Sequence, residues 1–477
     1  MNRVFILATA AIFILSCSAF AISFTGNNTF EFRLAGDDSS DSFLEDRFNL
    51  RVSESFVTLG ARFEAMHPSR ASAITRPSEE YDEITQRWAT IDAERIEITV
   101  GTFMATLGNG FVLDARERSE IQQDHHLDGV SADFELPSSD LTILAGAANW
   151  NYLDDFSIKG FDLRTSDIPY LNLGASYIAF DDEVHDPDSI LDDLKGEIWG
   201  ANIAPEIGPF YAEAQYSASW RSETDGGDFQ SGDLIYGNAS AFAGPIVIFG
   251  EYLQAEDFIA EGYGDNSQLV TLPLIVHQPS YTLMSRHLAE IDPMDTRAFG
   301  GELSYSFGIG DAMLSAASVG DIDGEADGYL EIYGSTYLDF ESLSGKIVAE
   351  YQDFPGDDEA INIVVEPLYY LNERASILLD IEFQTGVEYG EDVTNYYGLM
   401  EFALSPYGSA GIEGGSISSG DGGNETFGRF YLDIAVGERN KLTLAYGKRP
   451  GGFTCSGGSC RYEPEFDGFE FKLVSSF

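Results

Sequence analysis

The sequence predicts an all-β chain: a transmembrane antiparallel up-and-down β-barrel of about 24 strands (22–26), with short periplasmic turns and long acidic external loops. Three observations predict it. The final residues alternate apolar and polar with period two, the same alternation recurs along the chain, and short and long connections interleave between the repeats.

The final stretch, Phe466 to Phe477, reads FDGFEFKLVSSF. Phe469, Phe471, Leu473, Ser475 and Phe477 fall on one face, and Glu470, Lys472 and Ser476 fall on the other, which Val474 interrupts. Such a strand cannot stand alone in hydrocarbon, because its backbone donors and acceptors would go unsatisfied, so it requires a barrel to close. Its terminal Phe and alternating aromatics resemble the closing strand of bacterial outer-membrane barrels, which addresses a chain to the barrel assembly machinery; Ser475 departs from that pattern.

At the other end, Arg3, the apolar run Val4 to Leu15 and Ala19-Phe20-Ala21 make residues 1–21 a signal peptide, leaving 22–477 as the barrel. A second reading, lipoprotein cleavage before Cys17, is open from Ile14-Leu15-Ser16-Cys17. No later apolar run reaches the roughly 18 to 20 residues of a membrane helix. Composition fits many short strands with aromatic girdles: 49 Gly, 24 Tyr and 13% aromatic residues.

In between, Phe210, Ala212, Ala214, Tyr216, Ala218 and Trp220 oppose Glu213, Gln215, Ser217 and Ser219, a lipid face against a lumen face. Ile377, Leu379, Ile381 and Phe383 oppose Asp380, Glu382 and Gln384 in the same way. Strands are expected from 28–35 and 46–53 through to 467–477. Turns such as Ser53-Glu54, Glu94-Arg95, Asn372-Glu373 and Gly437-Glu438 alternate with long connections at 66–84, 105–127, 181–193, 255–295 and 448–466. A barrel this large encloses a wide lumen. Loops 105–127 and 255–295 are the candidates to fold into it, the second because Leu269 to Val276 is too apolar to face solvent.

The runs Val100 to Leu113 (VGTFMATLGNGFVL), Leu127 to Val130 (LDGV) and Pro279 to His287 (PSYTLMSRH) resemble a family of porin-like outer-membrane proteins of unknown function. That resemblance implies fold and location and carries no activity with it.

The formal charge of −54, from 80 Asp plus Glu against 26 Lys plus Arg, excludes nucleic acid as a natural partner. Solvated carboxylates in a saline habitat would explain it, as would Ca2+ or another divalent cation bridging the acidic loops to anionic lipopolysaccharide. The partners expected are outer-membrane lipid and lipopolysaccharide, the assembly machinery during biogenesis, and a small-molecule solute whose identity the sequence does not name. No cofactor is called for beyond that possible divalent ion.

Cys455 and Cys460, spaced C-x4-C in TCSGGSC, read as a local disulfide in an exported protein. All six His fall in expected loops. Asp124, His125 and His126 therefore invite a metal-capturing reading, set against the plainer one that polar residues collect where the chain leaves lipid. Asp321, Asp323, Glu325 and Asp327 alternate as in calcium loops but lack the bidentate Glu of an EF-hand. Arg116, Glu117, Arg118 and Glu120, with Arg286 and His287 from the second loop, are the expected lining of a charged constriction; a short solvated helix is the alternative for the first four. Gly108-Asn109-Gly110 has no phosphate-binding context and reads as a turn. Ser285 near His287 offers two members of a hydrolytic triad without the third, so no enzyme is expected. The reading is a channel for small hydrophilic solutes, cation-biased by its acidic balance. The alternative is a sealed barrel serving as a structural, adhesion or anchoring protein.

Overall fold

The structure is a computed structural model describing residues 22–36, 42–67, 81–118, 123–148, 156–165, 168–182, 194–223, 230–258, 269–273, 275, 281–286, 295–322, 328–356, 358–388, 390–419, 423–456, 459–463 and 465–477. The signal peptide expected at 1–21 lies outside these residues.

Twenty-four strands form one closed antiparallel sheet in which sequence neighbours pair, and the last strand, Phe466–Ser476, returns to pair with the first. The first five are β1 (Ser23–Ala35), β2 (Phe43–Glu54), β3 (Val57–His67), β4 (Tyr81–Ala93) and β5 (Ile96–Phe103). β1 begins earlier than the alternation suggested. Ser23 to Asn27 look like loop, yet their backbones pair along Ser53 back to Asn49 of β2, because polar side chains on the inner face need no apolar signal. The connection at 448–466 likewise contains an unforeseen two-stranded hairpin, Gly452–Ser456 with Ser459–Glu463.

Closure is sealed at the terminus. The Phe477 amide donates to Gly26 O and the Gly26 amide to Phe477 O, each at 3.0 Å, and the Phe477 ring stacks on Phe48 at 5.9 Å. Gly26 is required there, since a Cβ would stand 2.5 Å from both the Phe477 ring and Asn49 O. Beside this pair, Phe30 meets Phe471 edge-to-face at 5.8 Å on the outer side, while Glu470 binds Arg33 at 3.0 Å on the inner side.

Period two decides which side of the wall each residue takes. In the strand Ala375–Glu388, Ile381 is 55% exposed, whereas Asp380, Glu382 and Gln384 beside it are buried. Exposed Ile, Leu, Phe and Tyr recur all around the closed sheet, so the apolar face is the outside and suits lipid. The polar face lines the lumen. No described helix is long and apolar enough to cross a membrane.

Candidate functional site: two loop segments held across the lumen

β5 is short, 8 residues against 13 in β4, because the chain leaves the wall at Phe103 and re-enters at Leu127, which pairs with Phe103 across the neck. The inserted residues fold back on themselves. Ala105–Leu107 pairs with Leu113–Ala115, and the turn between them is Gly108–Gly110. All three turn residues have positive φ (55°, 55° and 93°), a conformation that Gly adopts freely and Asn better than most. Glu117–Arg118 then pairs with Gln123–Asp124.

The tip of this insert is fastened to distant wall strands. The Gly108 amide donates to Asp162 at 3.1 Å, Gln215 Nε2 to Gly108 O at 2.5 Å, and Asn109 Nδ2 to Glu213 at 2.5 Å. Leu107, Val112 and Leu113 are fully buried among inward residues of several strands near the long-loop rim, including Ile158, Ile178, Ile198 and Leu234. Gly200 makes room for Val112: a Cβ there would meet its Cγ2 at 2.7 Å.

The root of the insert is held by ion pairs on β2 and β3. Arg62 Nη2 meets Glu117 at 2.6 Å and Arg62 Nη1 meets Asp124 at 3.2 Å, while Arg47 Nη1 reaches the other Glu117 oxygen at 3.2 Å and Arg47 Nε reaches Glu64 at 2.9 Å. Gln86 Nε2 donates to Asp124 at 2.9 Å, and His126 Nδ1 lies 3.1 Å from the same carboxylate. Arg62 is 7% exposed, so these contacts are shielded from water and salt.

The second long connection rests on the first. The Asp114 amide donates to Leu269 O at 2.8 Å, the Thr271 amide to Gly110 O at 3.3 Å, and Arg118 Nη2 to Thr271 Oγ1 at 2.7 Å. Asp114, wholly buried, also takes hydrogen bonds from Arg116 and Arg118. Farther round, residues 281–286 dock on the strand Ala375–Glu388. The amides of Thr282 and Leu283 donate one to each oxygen of Glu382, at 3.0 and 2.7 Å, and Arg286 Nη1 meets Glu388 at 3.1 Å. Under them runs a belt of amides: Asn395 donates to Gln384 at 2.6 Å, Gln384 to Asn362 at 2.9 Å, and Asn362 to Glu350 at 2.8 Å.

The expected constriction residues are thus placed as follows. Glu117 and Arg118 are engaged in holding the insert, and Arg116 is bound to Asp114 with its side chain 47% exposed. Arg286 stands apart from them on Glu388. Glu120 and His287 lie outside the described residues. Of Asp124, His125 and His126, Asp124 and His126 meet at 3.1 Å, but both Asp124 oxygens serve Arg62, Gln86 and His126, and among the described residues no group of three or more His, Cys, Asp or Glu could hold a metal ion. Asp323, Glu325 and Asp327, and the side chains of Cys455 and Cys460, also fall outside the described part; the two Cys backbones are register partners across their hairpin. Residues that sequence reasoning passed over are Arg47, Arg62, Gln86, Asp114, Thr271 and Glu382. Arg47 and Arg62 carried a signal, being Arg on the inner face of strands in a chain poor in cations.

Burial, reinforced by the nearby Arg118 charge, pushes the His125 imidazole down to about 4. Burial alone would raise Asp124, but His126, Arg62 and Gln86 outweigh it and hold the carboxyl well below its usual range. The same competition, won by Arg116, Arg118 and Thr271, lowers Asp114.

Two outcomes follow. Arg62→Ala leaves Glu117 and Asp124 buried beside a missing cation, at a cost of about 3–5 kcal/mol. Amide hydrogen exchange in 112–118 should then accelerate by about two orders of magnitude or more, with the wall strands unchanged. For pH, a neutral folded His125 means that docking of the insert is at full strength above about pH 6.5 and weakens by roughly 1.4 kcal/mol per pH unit as pH falls toward 4. Asp124 and Asp114 begin to contribute only at lower pH, as they protonate. Exchange of 105–127 followed from pH 7 to 4 should show this slope in the wild type and lose it in His125→Phe.

A family profile matches residues 1–315 and 334–477, and it describes a family of unknown function, DUF6029. A sequence search of curated proteins finds no match. Among solved structures, the chain is similar to the Escherichia coli P pilus tip assembly intermediate PapC-PapD-PapK-PapG in its second conformation, with a TM-score of 0.53 at 9% identity, covering 95% of this chain and 60% of that one. It is also similar to the siderophore receptor PirA of Pseudomonas aeruginosa, at TM-score 0.47 and 9% identity over 95% of this chain and 80% of that one. OccK5 (OpdH) of the same organism matches at TM-score 0.37 and 11% identity, over 77% and 98%. The first of these likenesses concerns the barrel fold alone. By its sequence, the chain belongs to the DUF6029 family of unknown function.

Proposed function

We propose that this chain is an outer-membrane channel for small hydrophilic solutes, narrowed by residues 104–118, 123–126 and 281–286. The carrying observation is that these residues are held by side chains on a polar inner wall, beside which β1 to β5 still border a cavity of about 600 Å3. Inward carboxylates such as Glu213, Glu251 and Glu302 support a cation bias. Export through the 1–21 signal and insertion among outer-membrane lipid belong to the same reading. We read no enzyme here: Ser285 Oγ donates to Thr282 O at 2.9 Å, a local turn contact.

The second reading, a sealed barrel that anchors or displays a surface, draws on one observation. The apolar cluster around Leu107, Leu113, Phe258 and Leu269 is fully buried, as a stopper would be. Planar-bilayer conductance separates the two. A channel gives discrete cation-preferring steps that grow several-fold when 105–126 are deleted, or flicker open in Arg62→Ala if the deletion fails to assemble. Silence in a well-folded wild type with no change in either variant favours the sealed barrel.

The facing positions of Cys455 and Cys460 support a disulfide that staples the 452–463 hairpin. Thiol labelling of native cells should then require reductant, and free labelling without it would exclude the bond.

A further inference from the structure

The wall of the cavity beside the anchored insert carries a feature that neither the insert nor the barrel uses. In the sheet register, Thr25 pairs with Arg51, Arg51 with Gly60, Gly60 with Trp88, and Trp88 with Gly101, making one row across β1 to β5. Arg47 and Asn49 face the lumen, the first on Glu117 and the second on Arg62, and period two puts Arg51 on the same face. A Cβ at Gly60 would lie 2.1 Å from Trp88 Cζ2 and 2.2 Å from Cε2, so the indole occupies the space above Gly60, on the strand next to Arg51. Any larger residue at position 60 would evict it.

Arg51 differs from its neighbours in its partners. Arg47 pairs with Glu45, Glu64 and Glu117, and Arg62 with Glu64, Glu117 and Asp124. Arg51 is exposed, and among the described residues no carboxylate stands within ion-pair distance of it. In a chain with 80 acidic residues, a guanidinium without an acid on the lumen wall is available for a carboxylate from outside. Around it the cavity of about 600 Å3 is lined by hydroxyls and amides, among them Thr25, Asn27, Asn49, Thr90 and Thr99. That volume suits a small solute.

We propose that Arg51 and Trp88 form a solute-binding subsite for a small hydroxylated ring acid, a monosaccharide carboxylate of the uronic-acid class. The planar guanidinium takes the carboxylate through two parallel N–H donors. The indole gives the ring an apolar face to rest on, and the Thr and Asn side chains meet its hydroxyls. The site's place in transport rests on the channel reading, but binding is measured in detergent, where nothing is conducted. Saturable binding by a barrel that never conducts would retire the channel and keep the subsite, and conduction without binding would do the reverse.

The experiment is calorimetric titration of the refolded barrel with glucuronate, glucose and benzoate. Glucuronate should bind saturably and glucose, lacking the charge, about tenfold or more weaker. Arg51→Gln should erase the difference between the two, Arg51→Lys should keep part of it, and Trp88→Leu should weaken both together; heat-modifiable gel mobility reports that each variant has folded. No saturable glucuronate binding, affinity unchanged in folded Arg51→Gln, or benzoate binding as tightly as glucuronate would overturn the assignment.

Discussion

In hydrocarbon an unpaired backbone amide has no water to turn to, and this constraint forces the chain to close on itself. Closure falls to the pairing of Phe466–Ser476 with β1, finished by the reciprocal Gly26–Phe477 hydrogen bonds. Everything else follows from the size of the ring that this pairing shuts. A sheet of 24 strands encloses more space than wall side chains can fill, so the chain brings its own filling from within the sequence.

The filling is attached by two different chemistries. At β2 and β3 the wall supplies cations and the insert supplies acids, Arg47 and Arg62 against Glu117 and Asp124. At the strand Ala375–Glu388 the polarity is reversed: the wall supplies Glu382 and the loop supplies two backbone amides. Between them lies an apolar cluster near the long-loop rim. Ion pairs and amide belts fix position without welding the segments to the wall, because each costs desolvation and gives back a directional contact. An apolar seal alone would fix neither register nor orientation.

The wall was legible in the sequence because lipid writes it: Phe469, Phe471 and Leu473, or Ile377, Ile381 and Phe383, alternate only if one side is greasy. The start of β1 was not, since Ser23 to Asn27 face water on one side and carry few apolar residues on the other. The loop residues Glu117 and Asp124 stood out as charges in a compact run, yet their meaning depends on Arg47 and Arg62, more than fifty residues earlier, whose inward position alternation shows but whose partners it cannot. Glu382 was harder still. It was one more polar residue on an inner face until two amides from 99 and 100 residues away came to it.

The insert that leaves the wall after Phe103 sets its tip on the distant wall at Glu213 and Gln215, with the Asn109 side-chain amide 2.5 Å from Glu213. The most direct test is an electron–electron distance between spin labels at positions 109 and 213, in barrels reconstituted into bilayers of outer-membrane lipid. A tip held on the wall gives a single short, narrow distribution. A long or broad one, showing the tip away from the wall, would contradict it.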